Sequence, residues 1–302
     1  RSAPALSGTH ITRHALLRSV SDFSIYEVGP RDGLQSADTI MPTASKVEMI
    51  ERIAQAGITS IEVGAMVNPE RVPNMADSAT VFKKVQYLRP EVTLGMLVPN
   101  KIGVDRARNV GVDKFNVFFS PSEYFNANNH GKGLATVFSE YCAALNDVGK
   151  EDVRVYVSTA FGCPVQGEIH SDDMARALTW ADSLGSSIVL ADTIGSANPI
   201  LINDTMRVVD RLGLEADIAL HLHHGPRKNR MFDNLSAAFD CGITEFDSSI
   251  NGLGGCPFVP GSGGNLATEE LVMWAEKENL DCGVDVGAIK PLSKFVESKI
   301  RL

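Results

Sequence analysis

His221 and His223 stand two residues apart in the run IALHLHH, from Ile218 to His224. Residues two apart in an extended segment leave the same face. Both imidazoles therefore project together, an arrangement that chelates a metal ion. Asp32, just past the short apolar run FSIYEVG, supplies a carboxylate, although by itself before Gly33 it also reads as a turn residue. Two imidazoles, a carboxylate and the amide oxygen of Asn265 form a mixed nitrogen and oxygen set that suits Mn2+, Mg2+, Co2+ or Zn2+. The five cysteines are scattered and form no C-x-x-C pair, which argues against structural zinc and fits free thiols in a reducing compartment.

Other reactive side chains gather around this set. Arg31 is the residue type that clamps a carboxylate or a developing oxyanion, the alternative being a surface ion pair. Glu62 and Asp192 close the apolar segments ending SIE and VLAD, where a charge needs a partner. They are candidates to orient Arg31 or His223, or to handle a proton. Tyr156 reads equally as a core aromatic and as a site residue. Gln35, delivered with Arg31 by the first strand, is a candidate substrate contact. The stretch Ser249 to Asn265, SINGLGGCPFVPGSGGN, mixes glycines, prolines and Cys256. Such a loop places Cys256 on a reacting group as an accessible acid or base, the alternative being an inert buried thiol.

Placing all these residues in one pocket requires a scaffold that gathers strand ends. The periodicity predicts strands over Phe23–Gly29, Ile58–Gly64, Thr93–Pro99, Lys114–Ser120, Val153–Thr159, Ser186–Asp192, Ile218–His224 and Glu245–Ile250. Helical patterns separate them: Thr43–Ala56 stopped by Gly57, Leu134–Val148, Asp172–Ser183 with Ser171 as N-cap, and Pro199–Leu212 are examples. Continuous apolar strands alternating with helices imply a parallel sheet with a covered outer face. Eight such units match an α/β (β/α)8 TIM barrel, whose C-terminal strand ends share one pocket. An open doubly wound sheet is the alternative, but the first strand ends in Gly29-Pro30-Arg31-Asp32-Gly33 instead of a Gly-rich phosphate loop.

Residues 23–302 are read as one catalytic domain with a C-terminal extension. Residues 1–22 are read as an arm that is either disordered or a basic targeting remnant. The compartment expected is cytoplasmic, or the mitochondrial matrix on the second reading of the arm. A net charge of -9 argues against a nucleic-acid partner. No apolar run approaches the roughly 20 residues of a membrane helix.

With these residues in hand, the sequence resembles the 3-hydroxy-3-methylglutaryl-CoA lyase family, in the metal-dependent DRE-type TIM-barrel group. The resemblance runs from about Phe23 to Gly283. It rests on EVGPRDGLQ from Glu27, IEVGAMVNPERVPNMAD from Ile61, YVSTAFGCP from Tyr156, ADTIG from Ala191 and GLGGCPFVPGSGGNLATEEL from Gly252. The last segment is close to the lyase signature, and related acetyl-CoA condensing enzymes usually lack its cysteine, so cleavage is favoured over synthesis. The resemblance implies that Asp32, His221, His223 and Asn265 bind a divalent cation, Mg2+ or Mn2+. It implies that Arg31 stabilises an enolate and that Cys256 transfers a proton. It also puts Glu62, Tyr156 and Asp192 on site positions. The implied reaction is a retro-Claisen cleavage of an acyl-CoA: a base takes the C3 hydroxyl proton, the C2–C3 bond breaks, and the acetyl-CoA enolate is protonated. A homodimer is implied as well. Two departures bear on the acyl group accepted: His224 replaces the usual Asp or Asn, and Ala65 replaces a commonly hydroxylated residue. The turn after His224 is also longer and carries Arg227, Lys228 and Arg230, which either meet CoA phosphates or form a solvated turn. The alternatives are an aldolase or condensing enzyme on the same scaffold and a non-catalytic CoA- or metal-binding homologue.

Overall fold

A computed structural model describes residues 23–225, 230–255 and 263–300. Its eight strands are β1 (Ser24–Glu27), β2 (Ser60–Ala65), β3 (Thr93–Leu97), β4 (Lys114–Phe119), β5 (Val153–Val157), β6 (Ser187–Ala191), β7 (Asp217–His221) and β8 (Glu245–Ser248). They form a closed barrel in sequence order, and β1 pairs in parallel with β8 through Ser24↔Glu245 to Glu27↔Ser248. The expected (β/α)8 barrel is therefore the fold. Each strand is shorter than its apolar run suggested: seven of the runs continue past the last ladder bond into the loops that carry the site, whereas β2 starts two residues late and runs on to Ala65.

The expectation of uniformly apolar strands needs correction. Alternation divides each strand between two faces. Ile25, Ile61, Val63, Phe115, Val155, Val157, Leu220 and Phe246 belong to the large core between barrel and helices. The inner positions carry Tyr26, Glu62, Asn116, Arg154, Tyr156 and Asp247, all buried. Charges survive there because they pair: Arg154 bonds Asp247 at 2.6 Å, Ser187 Oγ at 2.9 Å, and Glu245. A glycine is required at Gly95, where a Cβ would sit 1.9 Å from the Tyr26 hydroxyl.

The helices on the outer face are α1 (Thr43–Gln55), α2 (Ser78–Val85), α3 (Lys101–Val110), α4 (Glu123–His130), α5 (Leu134–Ala144), α6 (Ser171–Leu184), α7 (Pro199–Leu212), α8 (Met231–Asp240), α9 (Thr268–Lys277) and α10 (Val286–Lys299). Gly57 ends α1 as expected, at φ 94°. Asn198 caps α7 by accepting from the Ile200 and Leu201 amides, and Gly213 closes it in the left-handed conformation. Ser171 is not the N-cap of α6; it is the first helical residue and His170 holds the cap position. Helix α4 was not expected, since Asn126, Asn128 and Asn129 are poor helix formers. Ser122 accepting from Phe125 N and left-handed Gly131 define its ends. No helix among the described residues is long and apolar enough to cross a membrane.

Candidate metal centre and active site

After β1 the backbone makes one wide turn, Gly29–Gly33. The amides of Arg31, Asp32 and Gly33 all donate to the Val28 carbonyl, at 3.1, 2.7 and 3.2 Å. That convergence swings Arg31 and Asp32 over the C-terminal mouth of the barrel. Arg31 lies between two carboxylates: its Nη1 is 2.5 Å from Asp32 Oδ1 and its Nε bonds Glu62. Glu62 is held by Asn116 Nδ2 at 2.8 Å, which also donates to the Tyr26 hydroxyl at 2.9 Å. Burial pushes the Glu62 carboxyl upward against the pull of Arg31.

From the other side, His221 ends β7 and His223 follows it. Their Nε2 atoms face each other at 3.0 Å. The loop after β7 pairs with the far end of the glycine-rich stretch: His224 N donates to Gly264 O, and Gly263 N to His224 O, both at 2.9 Å. This pairing brings Asn265 in, and its Nδ2 donates to Asp32 Oδ2 at 2.8 Å and to Leu253 O at 2.7 Å. The approach of Asp32 and Asn265 needs Gly254, whose φ is 104° and where a Cβ would lie 2.5 Å from Asn265 Nδ2.

Ligand atoms of Asp32, His221 and His223 lie within 4.8 Å of one another. Burial raises the Asp32 carboxyl, but Arg31 and the two histidines outweigh it and bring its pKa down to about 2, so it is anionic at neutral pH. Burial, then His221, pushes His223 down to about 4, leaving a neutral ring. His221 goes the other way: burial lowers it, but the hydrogen bond and charge of Asp247 prevail and raise it. Asn265 Oδ1 is buried with no hydrogen-bond partner among the described residues. An anionic carboxylate, two converging ring nitrogens and an orphaned amide oxygen fit a divalent cation. The structure thus presents a candidate divalent-metal site.

The other residues chosen from sequence fall at varying distance from this centre. Tyr156 lies in the barrel interior, with its ring edge-on to His221 at 6.1 Å and its hydroxyl accepting from Arg154 Nε at 3.4 Å. Asp192 bonds neither Arg31 nor His223. Its carboxylate accepts from the amides of Ser196 and Ala197 at 2.8 and 3.1 Å and so folds its own loop. Burial lifts its pKa to about 6. Gln35 follows the Gly29–Gly33 turn, with Oε1 buried and without a partner among the described residues. Cys256, Arg227 and Lys228 lie outside the described residues; Arg230 is exposed. His224 is paired with Glu270 at 2.7 Å and lines, with His223, Ser196, Asn198 and Asn234, a cavity of about 410 Å³. A larger cavity, about 1070 Å³, opens at the opposite end of the barrel beside Tyr26, Arg154 and Glu245, away from these residues.

Sequence reasoning missed Asp247, Arg154, Asn116 and Glu27. The signal was present for two of them: Arg154 interrupts the otherwise apolar VRVYV, and EFDS sets Glu245 and Asp247 at alternate positions about Phe246. Glu27 is fully buried and joins three segments, accepting from Gly29 N at 2.8 Å and Ile250 N at 3.0 Å and bonding Thr268 Oγ1 at 2.5 Å.

Fold and site together define a (β/α)8-barrel protein with a candidate divalent-cation centre at the C-terminal ends of its strands. The family model described as HMGL-like matches residues 22–296, and the chain belongs to that family. The hydroxymethylglutaryl-CoA lyase of Bacillus subtilis is 34% identical over 280 residues, 92% of this chain and 93% of that protein. The mitochondrial hydroxymethylglutaryl-CoA lyase of Homo sapiens is 34% identical over 294 residues, 93% of this chain and 90% of the other. An HMG-CoA lyase from Acinetobacter baumannii, solved in complex with coenzyme A and 3-methylmalate, superposes with a TM-score of 0.86 at 30% identity, covering 94% of this chain and 92% of that one.

Proposed function

We propose that this chain is a divalent-metal-dependent carbon–carbon lyase that cleaves 3-hydroxy-3-methylglutaryl-CoA to acetyl-CoA and acetoacetate. The single observation that carries the proposal is Arg31 fixed beside the candidate metal ligands by Glu62 and Asp32. The relatives named for this activity, and the lyase solved with coenzyme A, support the acyl-CoA substrate. Asp32, His221 and His223 would hold the cation together with the orphaned amide oxygen of Asn265, and the family resemblance points to Mg2+ or Mn2+. When bound, the cation supplies Lewis-acid polarisation of substrate oxygens.

The chain's own residues do the rest. Arg31 directs a guanidinium edge at the mouth of the barrel and stabilises the enolate oxygen that develops as the C2–C3 bond breaks. Glu62 orients Arg31, and Asn116 orients Glu62. Cys256, on the loop whose far end is Asn265, is assigned protonation of the enolate carbon. Asp192 and Tyr156 border the site, and Gln35 is assigned to substrate binding. The His224–Glu270 pair lines the adjoining cavity and bears on which acyl group is accepted. A homodimer in the cytoplasm completes the proposal.

Purified protein supplied with Mn2+ or Mg2+ and a thiol reductant is expected to release acetoacetate and acetyl-CoA in equal amounts, and chelator is expected to stop it. Absence of both products with metal and reductant present rejects this substrate. A parallel panel of other 3-hydroxyacyl-CoA esters then identifies the acyl group.

A further inference from the structure

We propose that Asp247, held in place by Arg154, fixes the tautomer of His221 and thereby keeps its Nε2 free to bind the cation; this rests on the metal-centre reading above. Asp247 lies on β8 directly opposite His221 on β7, in register with it. Its side chain is fully buried. Its two oxygens have different partners: Oδ2 faces His221 Nδ1 at 3.0 Å, and Oδ1 faces Arg154 Nη2 at 2.6 Å. Arg154 is itself immobilised by Ser187, by Glu245 and by the Tyr26 ring 4.3 Å from its guanidinium.

A carboxylate only accepts, so the proton between Asp247 and His221 sits on Nδ1. The Nε2 lone pair of the neutral ring is then left on the side that faces His223 Nε2. A ring with the proton on Nε2 would present a hydrogen where a ligand atom is needed. Arg154 turns this into a sharp test. A guanidinium only donates, so in Asp247→Asn the amide oxygen must stay with Arg154 Nη2. The amide NH2 then turns to His221 Nδ1, which must accept, and the proton moves to Nε2. One isosteric change in a residue that is not a ligand is therefore expected to invert the tautomer of one that is. Asp247 is a positioning residue, acting through His221.

The test uses the metal-free full chain, labelled with 15N, at alkaline pH where both rings are neutral. Long-range imidazole spectra report the tautomer, and the His221 signals are assigned by their loss in H221Q. The wild type is expected to show His221 as the Nδ1–H form, and finding the Nε2–H form overturns the proposal. D247N is expected to show Nε2–H and to bind Mn2+ about 10–100-fold more weakly by calorimetry. A tautomer change without weaker binding, or weaker binding without a tautomer change, each overturns it. A merely structural role for Asp247 lowers thermal stability and leaves the tautomer alone. If D247N does not fold, the wild-type spectrum decides. Wild-type protein that binds no Mn2+ at all defeats the metal-centre reading, whereas the spectrum still decides whether Asp247 sets the tautomer.

Discussion

Arg31 is useful because it cannot move. Its guanidinium bonds Glu62 through Nε and Asp32 through Nη1, and burial around it removes the water that would otherwise screen its charge. A lysine has one ammonium and no planar fork, so it reaches either carboxylate but does not hold both. Arg31→Lys is therefore expected to lower kcat for C2–C3 bond cleavage by about 10²–10³, the range seen when one oxyanion donor is lost. Steady-state kinetics under metal saturation measure this, and an unchanged kcat removes Arg31 from the chemistry. Asp32 and His221 are proposed to hold the cation instead. Asp32→Ala and His221→Ala should each abolish calorimetric Mn2+ binding; unaltered affinity in either variant strikes that residue from the ligand set. The types of these side chains, and the two-residue spacing of the histidines, are legible in the sequence. The partners that fix them are not, since Glu62 is 31 residues from Arg31, and Asp247 is 26 from His221.

Loops, more than strands, aim the chemistry, and each has a backbone device behind it. The turn after β1 folds around the Val28 carbonyl, and Gly263 and Gly264 pair with the chain after β7. Gly254 is where the two meet. Alanine there meets a left-handed φ of 104° and a Cβ position 2.5 Å from Asn265 Nδ2. Gly254→Ala is expected to cost about 1–3 kcal/mol and to weaken Mn2+ binding through Asn265. Thermal melts with and without Mn2+ test it, and identical melts and affinity would contradict the account of the loop. The α7 cap makes a smaller contribution: removing it in Asn198→Ala should cost about 1 kcal/mol in urea denaturation, and an unchanged midpoint would contradict the cap. The strand and helix pattern was readable because periods of 2 and 3.6 are local properties. Their ends were less so, because apolar residues continue past the last ladder bond. Helix α4 escaped because its asparagines oppose a helix that its caps and packing impose.

At the scale of the whole barrel, one carboxyl reports whether the closure is intact. Glu27, at the end of β1, is bonded to the start of the loop at Ile250 and to the first residue of α9, Thr268. Burial raises its pKa from 4.5 to about 8, moderated by those same bonds. The native state therefore retains a proton that the unfolded chain has lost between these values. Stability from this group is complete below about 4.5 and declines as pH rises toward 8. The ceiling is a few kcal/mol, since each tenfold change in proton affinity is worth about 1.4 kcal/mol. Glu27→Gln should flatten that part of the profile, so the variant gains on the wild type as pH rises; parallel profiles in chemical denaturation would show that Glu27 is ionised throughout. Sequence alone determined that strands and helices alternate, that their apolar faces demand a covered parallel sheet, and which residue types stand at the strand ends. Those conclusions follow from short-range periodicity and side-chain chemistry. Only the tertiary structure decided which of them meet. Asp32 and Asn265 are 233 residues apart, and Glu27 and Thr268 are 241 apart. The contacts exist because β1 closes on β8, and no local pattern encodes a pairing that arises from closure of the ring.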